Sequence, residues 1–350
     1  HSSESTPLIL VDQGSSISLS RFNSGNSLAI HTGYTVGTPN FPIFSDFDGD
    51  GKKDLATITN GGTQRVGVAY GNISSRGFFD KTFYFVNLSE CTGAKGMWEA
   101  RLNNDSAPDL IAQTGSGSRK IHILLNNNDG SGTFTGPNKT NYNPSITVGD
   151  MNNDGYSDVV GFDTGNNRIQ IMLGDGVGGL GSVSNYASSG SIVSPKLIDI
   201  NNDNFLDIIF SDFSNNTYYH INNGSGGLGG LNTLSGAQSD RFVDFNGDGH
   251  LDILNLSNSG LIEVFLSDTA GGFQSPILST RVGAGNKTAF IADIDQDGKL
   301  DFVEFGFDAG FSFVEMEVYQ GNSDFSFTHR QSLGFPNISG ANMFESAIKF

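Results

Sequence analysis

The sequence has few basic residues, a single cysteine and no long apolar run, and each scarcity excludes a class of protein. Its 350 residues contain 19 Lys+Arg against 37 Asp+Glu, which gives a formal net charge of −18. A protein that binds nucleic acid without regard to sequence needs a basic face, so that class is excluded. No apolar run approaches the roughly 18 residues of a membrane-spanning helix, so we expect no membrane insertion. Cys91 alone forms no intramolecular disulfide.

The rest of the composition favours a β protein with many turns. Hydrophobic residues make up 36% of the chain and include 28 Phe, which is enough for a large core. Charged residues make up only 16%, and 47 Gly together with many Asn and Ser take their place. Such a composition is typical of short strands joined by turns.

An acidic nine-residue pattern repeats along the chain. Each intact copy reads D-x-[DN]-x-D-[GN]-x-x-D and is followed by an apolar stretch, and the copies begin at Asp46, Asp150, Asp199, Asp244 and Asp293. A sixth copy begins at Arg101 and has lost the first Asp. Successive copies start 55, 49, 49, 45 and 49 residues apart, so one supersecondary unit is repeated.

Each unit reads as four short strands. In the copy that begins at Asp150 these are 143–150, 158–163, 167–173 and 182–188, with apolar residues that tend to alternate and Gly/Asn turns between them. Four strands in about 49 residues are typical of a propeller blade. The sequence therefore predicts an all-β protein with six repeats over residues 41–340.

The two ends of the chain supply a seventh blade in this interpretation. Residues 1–40 contain three strand candidates, and residues 341–350 resemble a first strand with no loop after it. Pairing these segments in one shared blade would close the ring and remove the open sheet edge. We expect a single seven-bladed β-propeller with four-stranded blades over residues 1–350.

The loops carry the oxygen ligands that a hard divalent cation prefers. Side chains at positions 1, 3, 5 and 9 converge, a backbone carbonyl at position 7 adds a ligand, and glycine at position 6 permits the turn. Carboxylates with neutral oxygens suit Ca²⁺ better than Mg²⁺. We predict about five structural Ca²⁺ ions, one in each intact loop, bound by Asp46, Asp48, Asp50, Asp54, Asp150, Asn152, Asp154, Asp158, Asp199, Asn201, Asp203, Asp207, Asp244, Asn246, Asp248, Asp252, Asp293, Asp295, Asp297 and Asp301.

Two alternatives to this prediction need weighing. The loops could be plain turns with solvated carboxylates, but five copies in register favour a cation, because so many close carboxylates repel without one. The last loop also fits a helix-loop-helix calcium pattern through Glu304 at position 12. We reject that pattern, because the other intact loops have no carboxylate there and strands flank every loop.

Two loops depart from the pattern. Asn204 replaces glycine at position 6, which Asn tolerates because it can adopt the left-handed conformation. In the sixth copy Arg101 occupies position 1 and Ser106 the glycine position. A guanidinium there could neutralise Asp105 and Asp109, so we predict no metal in that loop.

The repeated unit resembles the FG-GAP/VCBS repeat of the integrin α-subunit head and of many secreted proteins, over about residues 46–330. The resemblance implies a propeller in which calcium holds the first hairpin of each blade. It also implies that the loops share one face and that ligands engage the other. It specifies no activity, because the family includes adhesion proteins, lectin-like binders and enzymes.

Candidate ligand and catalytic residues are few. Arg65, Lys120 and Arg168 begin corresponding third strands and could form an arc for an anionic ligand, although solvated strand ends are the plainer interpretation. Trp98, in the long connection 87–99, could form a ligand lip or pack between blades. His220 follows two tyrosines, as acid–base chemistry in a polysaccharide lyase would require, but packing is favoured. We predict no catalytic residue.

Three functions stay open. The first is a secreted or cell-surface recognition module, monomeric and calcium-stabilised, which binds carbohydrate or protein through the face opposite the loops. The second is a carbohydrate-active enzyme such as a polysaccharide lyase, and the third is a structural spacer. The acidity favours none of them. The loops at 46 and 293 hold four acidic residues each and the other three hold three each, so 17 of the 37 belong to the loops.

Overall fold

A computed structural model describes residues 8–12, 17–22, 28–34, 38–60, 65–71, 84–88, 93–115, 119–214, 216–234, 241–256, 260–268, 271–282, 288–307 and 313–336. Every regular element in these ranges is a β-strand. None of the described residues belongs to a helix that could cross a membrane. The chain divides into two compact units, residues 1–188 with 223–227 and residues 189–222 with 228–350.

The first unit contains one three-stranded and three four-stranded antiparallel sheets. The three-stranded sheet has the order β1-β2-β3 (Leu8–Asp12, Ile17–Phe22, Leu28–Tyr34). The next has the order β4-β5-β6-β7 (Thr38–Ser45, Asp54–Asn60, Arg65–Ala69, Tyr84–Asn87). The third sheet contains β8 to β11 (Ala94–Ala100, Asp109–Thr114, Lys120–Asn126, Phe134–Asn141). The fourth contains β12 to β15 (Ser145–Gly149, Asp158–Asp163, Arg168–Met172, Ser184–Ala187).

The second unit contains three more four-stranded antiparallel sheets, with consecutive strands as neighbours. The first has β16 to β19 (Val193–Ile198, Asp207–Ser211, Thr217–His220, Asn232–Leu234). The second has β20 to β23 (Arg241–Val243, Asp252–Leu256, Leu261–Phe265, Ile277–Thr280). The third has β24 to β27 (Thr288–Ala292, Asp301–Phe307, Phe313–Gly321, Phe327–Pro336).

Apolar layers between consecutive sheets form the core of each unit. The second strand of a sheet lies in the middle of such layers, and all six residues of β9 and all five of β17 are buried. In the first unit Phe47 from the loop before β5 packs edge-to-face on Phe134 of β11, with ring centres 5.6 Å apart. In the second unit Phe302 of β25 stacks on Tyr319 of β26 at 4.2 Å. Burial on both faces explains why the second strands read as apolar runs.

The predicted strand pattern is confirmed and one boundary is wrong. Each of the six copies forms a four-stranded sheet, and the three N-terminal strand candidates form the β1-β2-β3 sheet. Residues 341–350, proposed as the fourth strand of that blade, lie outside the described residues. The long connection predicted at 87–99 is wrong, because β8 starts at Ala94 and takes Trp98 into a strand.

Candidate metal centre

Each acidic pattern forms the loop between the first and second strands of a four-stranded sheet. In all six loops the position-5 carboxylate accepts the backbone N–H of position 7, at 2.8–3.0 Å. This short-range hydrogen bond closes an Asx turn. The sixth, Arg101-containing loop keeps it through Asp105 and Ala107.

The position-9 aspartate is buried in every loop and fastens two backbone segments together. One of its oxygens accepts the N–H of position 2, at 2.7–2.9 Å. The other accepts an N–H at or just after the end of the third strand, at 2.7–2.8 Å. We call this arrangement the staple, and it is formed by Asp54, Asp109, Asp158, Asp207, Asp252 and Asp301.

The staple changes how the position-9 residues are understood. They were predicted only as metal ligands, but Asp109 makes the same two hydrogen bonds in the loop without a position-1 Asp. Burial raises the pKa of Asp158 and Asp207 to about 6, and it also raises the pKa of Asp109. The signal in the sequence was the retention of Asp109 in a copy that had lost position 1.

The position-1 aspartates organise the turn of the intact loops. Asp46 accepts N–H groups from Gly49, Asp50 and Gly51, at 2.8–3.1 Å. The N–H of position 6 makes the corresponding bond in the other four intact loops, at 2.8–2.9 Å. Arg101 offers no acceptor in its side chain, so its loop lacks this set of bonds.

The intact loops also share a backbone conformation. Positions 4 and 6 both have positive φ in all five, and glycine occupies many of these places because it lacks a Cβ. Asn204 at position 6 has φ of 70°, which confirms the prediction that Asn substitutes for glycine there. Neither Asn104 nor Ser106 of the Arg101 loop has positive φ.

Oxygen atoms converge in the intact loops in a way that fits a divalent cation. One carboxylate oxygen from each of Asp46, Asp48 and Asp54 lies within 4.8 Å of the others. The same holds for the group of Asp293, Asp295 and Asp297. In two other loops the Oδ1 atoms of Asp150 and Asn201 are buried without a hydrogen-bond partner. Buried oxygens without a donor are costly, and a cation would satisfy them.

The intact loops fall into two classes according to which side chain contacts the position-5 carboxylate. In two loops a lysine at position 7 pairs with this carboxylate, as in the ion pairs Lys52–Asp50 and Lys299–Asp297. In the other three loops the amide nitrogen of the position-3 Asn donates to it, at 2.8–2.9 Å. Because the amide nitrogen makes this hydrogen bond, the amide oxygen of the same Asn can act as a neutral ligand of a calcium ion.

The Arg101 side chain does not neutralise its own loop as predicted. Its guanidinium lies over the ring of Tyr156 in the following loop, 5.9 Å from the ring centre. Its backbone N–H donates to Ser157 Oγ at 2.9 Å, and its carbonyl accepts the Ser157 N–H at 2.7 Å. Among the described residues no ion pair joins Arg101 to Asp105 or Asp109, because the staple already satisfies Asp109 with backbone donors.

A cleft of about 610 Å³ separates the Asp46 loop from the Arg101 loop. One wall carries Asp46, Asp48 and Lys53, and the facing wall carries Glu99 and Arg101. A smaller cleft of about 410 Å³ lies at the corresponding place in the second unit, lined by residues that include Asp244, Asn246 and Lys299. We call these the Asp46 cleft and the Asp244 cleft.

None of the predicted ligand residues lines the Asp46 cleft or the Asp244 cleft. Arg65, Lys120 and Arg168 each begin a third strand, as expected, and Arg65 lies over the Phe85 ring at 5.7 Å. Trp98 is half-buried and packs against the core between the second and third four-stranded sheets of the first unit. Its ring covers Gly96, where a Cβ would lie 2.1 Å from it. The alternative of packing is therefore the one observed for Trp98.

His220 has a packing role. It is buried, and its Nδ1 lies 2.9 Å from the Gly229 carbonyl. A buried ring held by a backbone group does not reach a polymeric substrate. The hypothesis of lyase chemistry at this residue is therefore wrong.

A buried polar network in the second unit had no signal in the sequence. Arg281 forms an ion pair with Glu304, with Nε at 2.8 Å from Oε1, and both side chains are buried. On the neighbouring strand Glu317 Oε2 accepts one hydrogen bond from Ser332 Oγ and lies 2.7 Å from His329 Nε2. The position of Glu304 confirms the rejection of a helix-loop-helix site, because its carboxylate is engaged by Arg281.

Structures with a similar fold cover nearly the whole chain. A protein from Lactobacillus plantarum is 11% identical with a TM-score of 0.50, over 95% of this chain and 96% of that one. A Bacteroides uniformis protein named a "putative 6-phosphogluconolactonase" is 13% identical with a TM-score of 0.52, over 94% and 96%. A Bacteroides fragilis protein of the same name is 13% identical with a TM-score of 0.50, over 96% and 97%.

This similarity corrects the expected function. The sequence favoured a lectin-like or adhesive module, but the two Bacteroides structures are named as lactonases. The expectation of a recognition module is therefore wrong. At these identities the likeness shows the fold, which is all-β with repeated four-stranded sheets of the propeller kind.

The repeats themselves match a family model. No curated protein matches the chain by sequence. The model described as the FG-GAP-like repeat matches residues 101–161, 150–210, 199–254 and 244–304, which together exceed half of the chain. Each match begins at the first position of a loop, including the loop of Arg101. By its repeats, this chain belongs to the FG-GAP-like repeat family.

Proposed function

We propose that the intact loops bind Ca²⁺ and that the ions stabilise the sheets that carry them. The observation that carries the proposal is the convergence of three carboxylate oxygens within 4.8 Å in the Asp46 and Asp293 groups. Like charges this close repel one another unless a cation lies among them, and the repulsion is stronger in the partly buried Asp46 group than in the exposed Asp293 group. When bound, the ion would supply charge neutralisation between the first and second strands of a sheet.

Side-chain and backbone oxygens favour calcium over the other hard cations. The loops offer carboxylates, Asn amides and a backbone carbonyl, with no His or Cys among the side-chain positions. Mg²⁺ requires a tighter octahedral shell and retains its waters, whereas Ca²⁺ accepts six to eight oxygens of mixed kind. Soft metals select thiolate or imidazole ligands, and neither occurs at positions 1, 3, 5 or 9 of an intact loop.

Calorimetric titration of the metal-stripped protein with Ca²⁺ tests the proposal. We expect about five sites, one for each intact loop, and the loss of one site in an Asp46→Asn/Asp48→Asn variant. Asn104→Ala in the Arg101 loop serves as the matched control and should leave the stoichiometry unchanged. Absence of calcium binding by the wild-type chain would contradict the proposal.

A second candidate activity is the hydrolysis of a sugar lactone. It is supported by the names of the two similar Bacteroides structures and by the Asp46 cleft, whose volume suits a small molecule. A bound divalent cation can polarise a carbonyl oxygen. Glu99 and the loop carboxylates would hold the hydroxyl groups of the sugar at that place.

A pH-indicator assay with glucono-δ-lactone and with its 6-phosphate tests this activity. We expect calcium-dependent acid release faster than the buffer reaction, and loss of that rate in Asp46→Asn/Asp48→Asn. Asp244→Asn, at the second cleft, is the matched control. Rates equal to buffer with both lactones, in calcium-loaded protein, would exclude lactone hydrolysis.

We also propose that the chain forms one seven-bladed ring over residues 1–350. The support is that, among the described residues, the β1-β2-β3 sheet has three strands whereas each of the other six sheets has four. Residues 341–350 would add the missing strand and leave no open edge. Deletion of 341–350 should lower the melting temperature, whereas an unchanged value would contradict ring closure.

Export to a calcium-rich exterior follows from the proposed metal sites. Loops of this kind bind well where Ca²⁺ is abundant, and extracellular modules use dissociation constants of about 10⁻⁴–10⁻³ M. We propose a secreted or surface-exposed monomer. Calcium affinity in that range would support this location, and nanomolar affinity would oppose it.

A further inference from the structure

We infer that the Asp46 cleft binds a polyhydroxylated small molecule that carries one anionic group, such as a sugar phosphate or a sugar acid. The inference rests on the proposed calcium site in the Asp46 loop. It concerns the face that carries the loops, whereas the sequence placed ligand binding on the opposite face.

The size and lining of the cleft suit a monosaccharide. Its volume of about 610 Å³ lies within the range of small-molecule sites. Ser45, Ser106, Ser157 and Asn128 line it with hydroxyl and amide groups. Such groups both donate and accept hydrogen bonds, as the hydroxyls of a sugar require.

The Arg101 substitution gives the cleft a guanidinium at loop position 1, where every intact copy of the repeat has Asp. The intact loops have Asp at position 1, and the Asp244 cleft, which lies between two of them, carries Lys299 on its second wall in an ion pair with Asp297. In the Asp46 cleft Arg101 stands at position 1, and its guanidinium is directed by the Tyr156 ring and not by a carboxylate. A guanidinium without a carboxylate partner binds phosphate or carboxylate by paired N–H donors.

The remaining charges make anion binding depend on calcium. The Asp46 loop has four carboxylates and the two ammonium groups of Lys52 and Lys53. A bound Ca²⁺ cancels the two negative charges that remain. The charged residues that line the cleft are Asp46, Asp48, Glu99, Lys53 and Arg101, so the lining has a net charge of −1 without the ion and +1 with it. Glu99 then accepts hydrogen bonds from sugar hydroxyls.

The Asp244 cleft provides a comparison within the same chain. It has an Asp-containing loop on one side and Lys299 on the other, but Lys299 is paired with Asp297 at 2.5 Å. The loop that contributes Lys299 also keeps Asp293 at position 1. We therefore expect anion binding at the Asp46 cleft and not at the Asp244 cleft.

Calorimetry of the full chain with glucose 6-phosphate, gluconate and glucose tests the inference. In calcium-saturated protein we expect one glucose 6-phosphate or gluconate per chain and no measurable binding of glucose. The relative affinities of the first two ligands distinguish a phosphate site from a carboxylate site. EDTA should abolish binding, and blank titrations of Ca²⁺ into each sugar correct for chelation.

Two variants show whether Arg101 is responsible. Arg101→Gln should weaken binding of the anionic sugar at least tenfold with an unchanged melting temperature, and Arg101→Lys should retain part of it. Lys299→Gln is the matched control in the Asp244 cleft and should leave the affinity unchanged. Equal affinity in Arg101→Gln, or no binding of either anion by calcium-loaded wild type, would overturn the inference.

The failure of this inference can be told from the failure of the proposed function. If the wild-type chain binds Ca²⁺ and loses one site in Asp46→Asn/Asp48→Asn, the metal site stands whatever the sugar titration shows. If that chain then binds no anionic sugar, the cleft inference alone is wrong. If no Ca²⁺ binds, both are wrong.

Discussion

The Asp46 loop and the Arg101 loop occupy the same place in neighbouring sheets of the first unit and share half of their structure. Both have the position-9 staple and the Asx turn at position 5. They differ at position 1 and in the left-handed residues, which only the Asp46 loop has. The comparison shows that one nine-residue pattern combines two features, the position-9 staple and the turn built around the position-1 Asp. A copy of the pattern can have the first feature without the second.

The staple is the part of the pattern that folding needs. It satisfies two backbone N–H groups at the point where the loop meets the third strand, and buried donors without acceptors are costly. The position-1 Asp and the left-handed turn arrange oxygens around a central point, which serves a cation. A copy of the repeat can therefore lose its metal and still form its sheet.

Of the changes considered, removal of all calcium should lower the stability of the folded chain the most. Ions that bind only the folded chain stabilise it by about 2.7 kcal/mol each at a hundredfold excess over the dissociation constant. EDTA should therefore lower the melting temperature in scanning calorimetry by more than any single substitution, and Ca²⁺ but not Mg²⁺ should restore it. An unchanged melting temperature would show that the intact loops need a cation no more than the Arg101 loop does.

Loss of a staple should cause the next largest loss of stability, and the loss should be similar in the Asp46 loop and in the Arg101 loop. Asp109→Ala leaves the N–H groups of Leu102 and Asn126 without acceptors, which should cost about 2 to 5 kcal/mol in urea unfolding. Asp105→Asn, at the half-exposed position 5, is the control and should cost less than about 1 kcal/mol. If Asp109→Ala lowers the free energy of unfolding no more than Asp105→Asn does, the staple is not what both loops need in order to fold.

Conversion of the Arg101 loop into an intact one should have a smaller, stabilising effect. Arg101→Asp with Ser106→Gly restores the position-1 acceptor and the residue that adopts positive φ. We expect one additional Ca²⁺ by terbium luminescence, and up to about 2.7 kcal/mol of calcium-dependent stability at a hundredfold excess. Arg101→Gln with Ser106→Gly lacks the carboxylate and should gain no ion. Equal ion counts for the two double variants would mean that position 1 does not decide metal binding.

The smallest effect should be a pH dependence that calcium abolishes. The pKa of Asp158 and of Asp207 is raised by burial to about 6, above the ordinary 3.8. Between pH 5 and 7 the folded state then binds more protons than the unfolded state, so stability falls as pH rises. In EDTA the free energy of unfolding should increase by about 1 kcal/mol for each group between pH 7 and pH 5.

Calcium should remove this gain, because a cation favours the ionised carboxylates. The calcium-loaded protein is therefore the control for the pH series, measured by urea unfolding at each pH. A metal-free protein whose stability falls steadily from pH 7 to pH 5 would mean that these carboxylates are ionised without a cation. The intact loops would then resemble the Arg101 loop in needing none.

Much of the fold could be predicted because its information is local. A loop pattern every 45 to 55 residues, with apolar stretches after it, specifies a strand, a turn and a second strand. The left-handed conformation of Asn204 follows from its place in the pattern. By contrast, the direction of the Arg101 side chain depends on Tyr156, a residue 55 positions later that reaches it only through sheet packing.

By itself the sequence determined that the chain is all-β, that the unit repeats and that oxygen atoms gather in its loops, because neighbouring residues suffice for each of these. The tertiary structure decided that Asp109 joins a loop to a third strand and that Glu304 pairs with Arg281. It also decided that Trp98 packs in a core and that Arg101 borders a cleft. Those roles depend on partners distant in sequence, whose positions are set by how consecutive sheets pack.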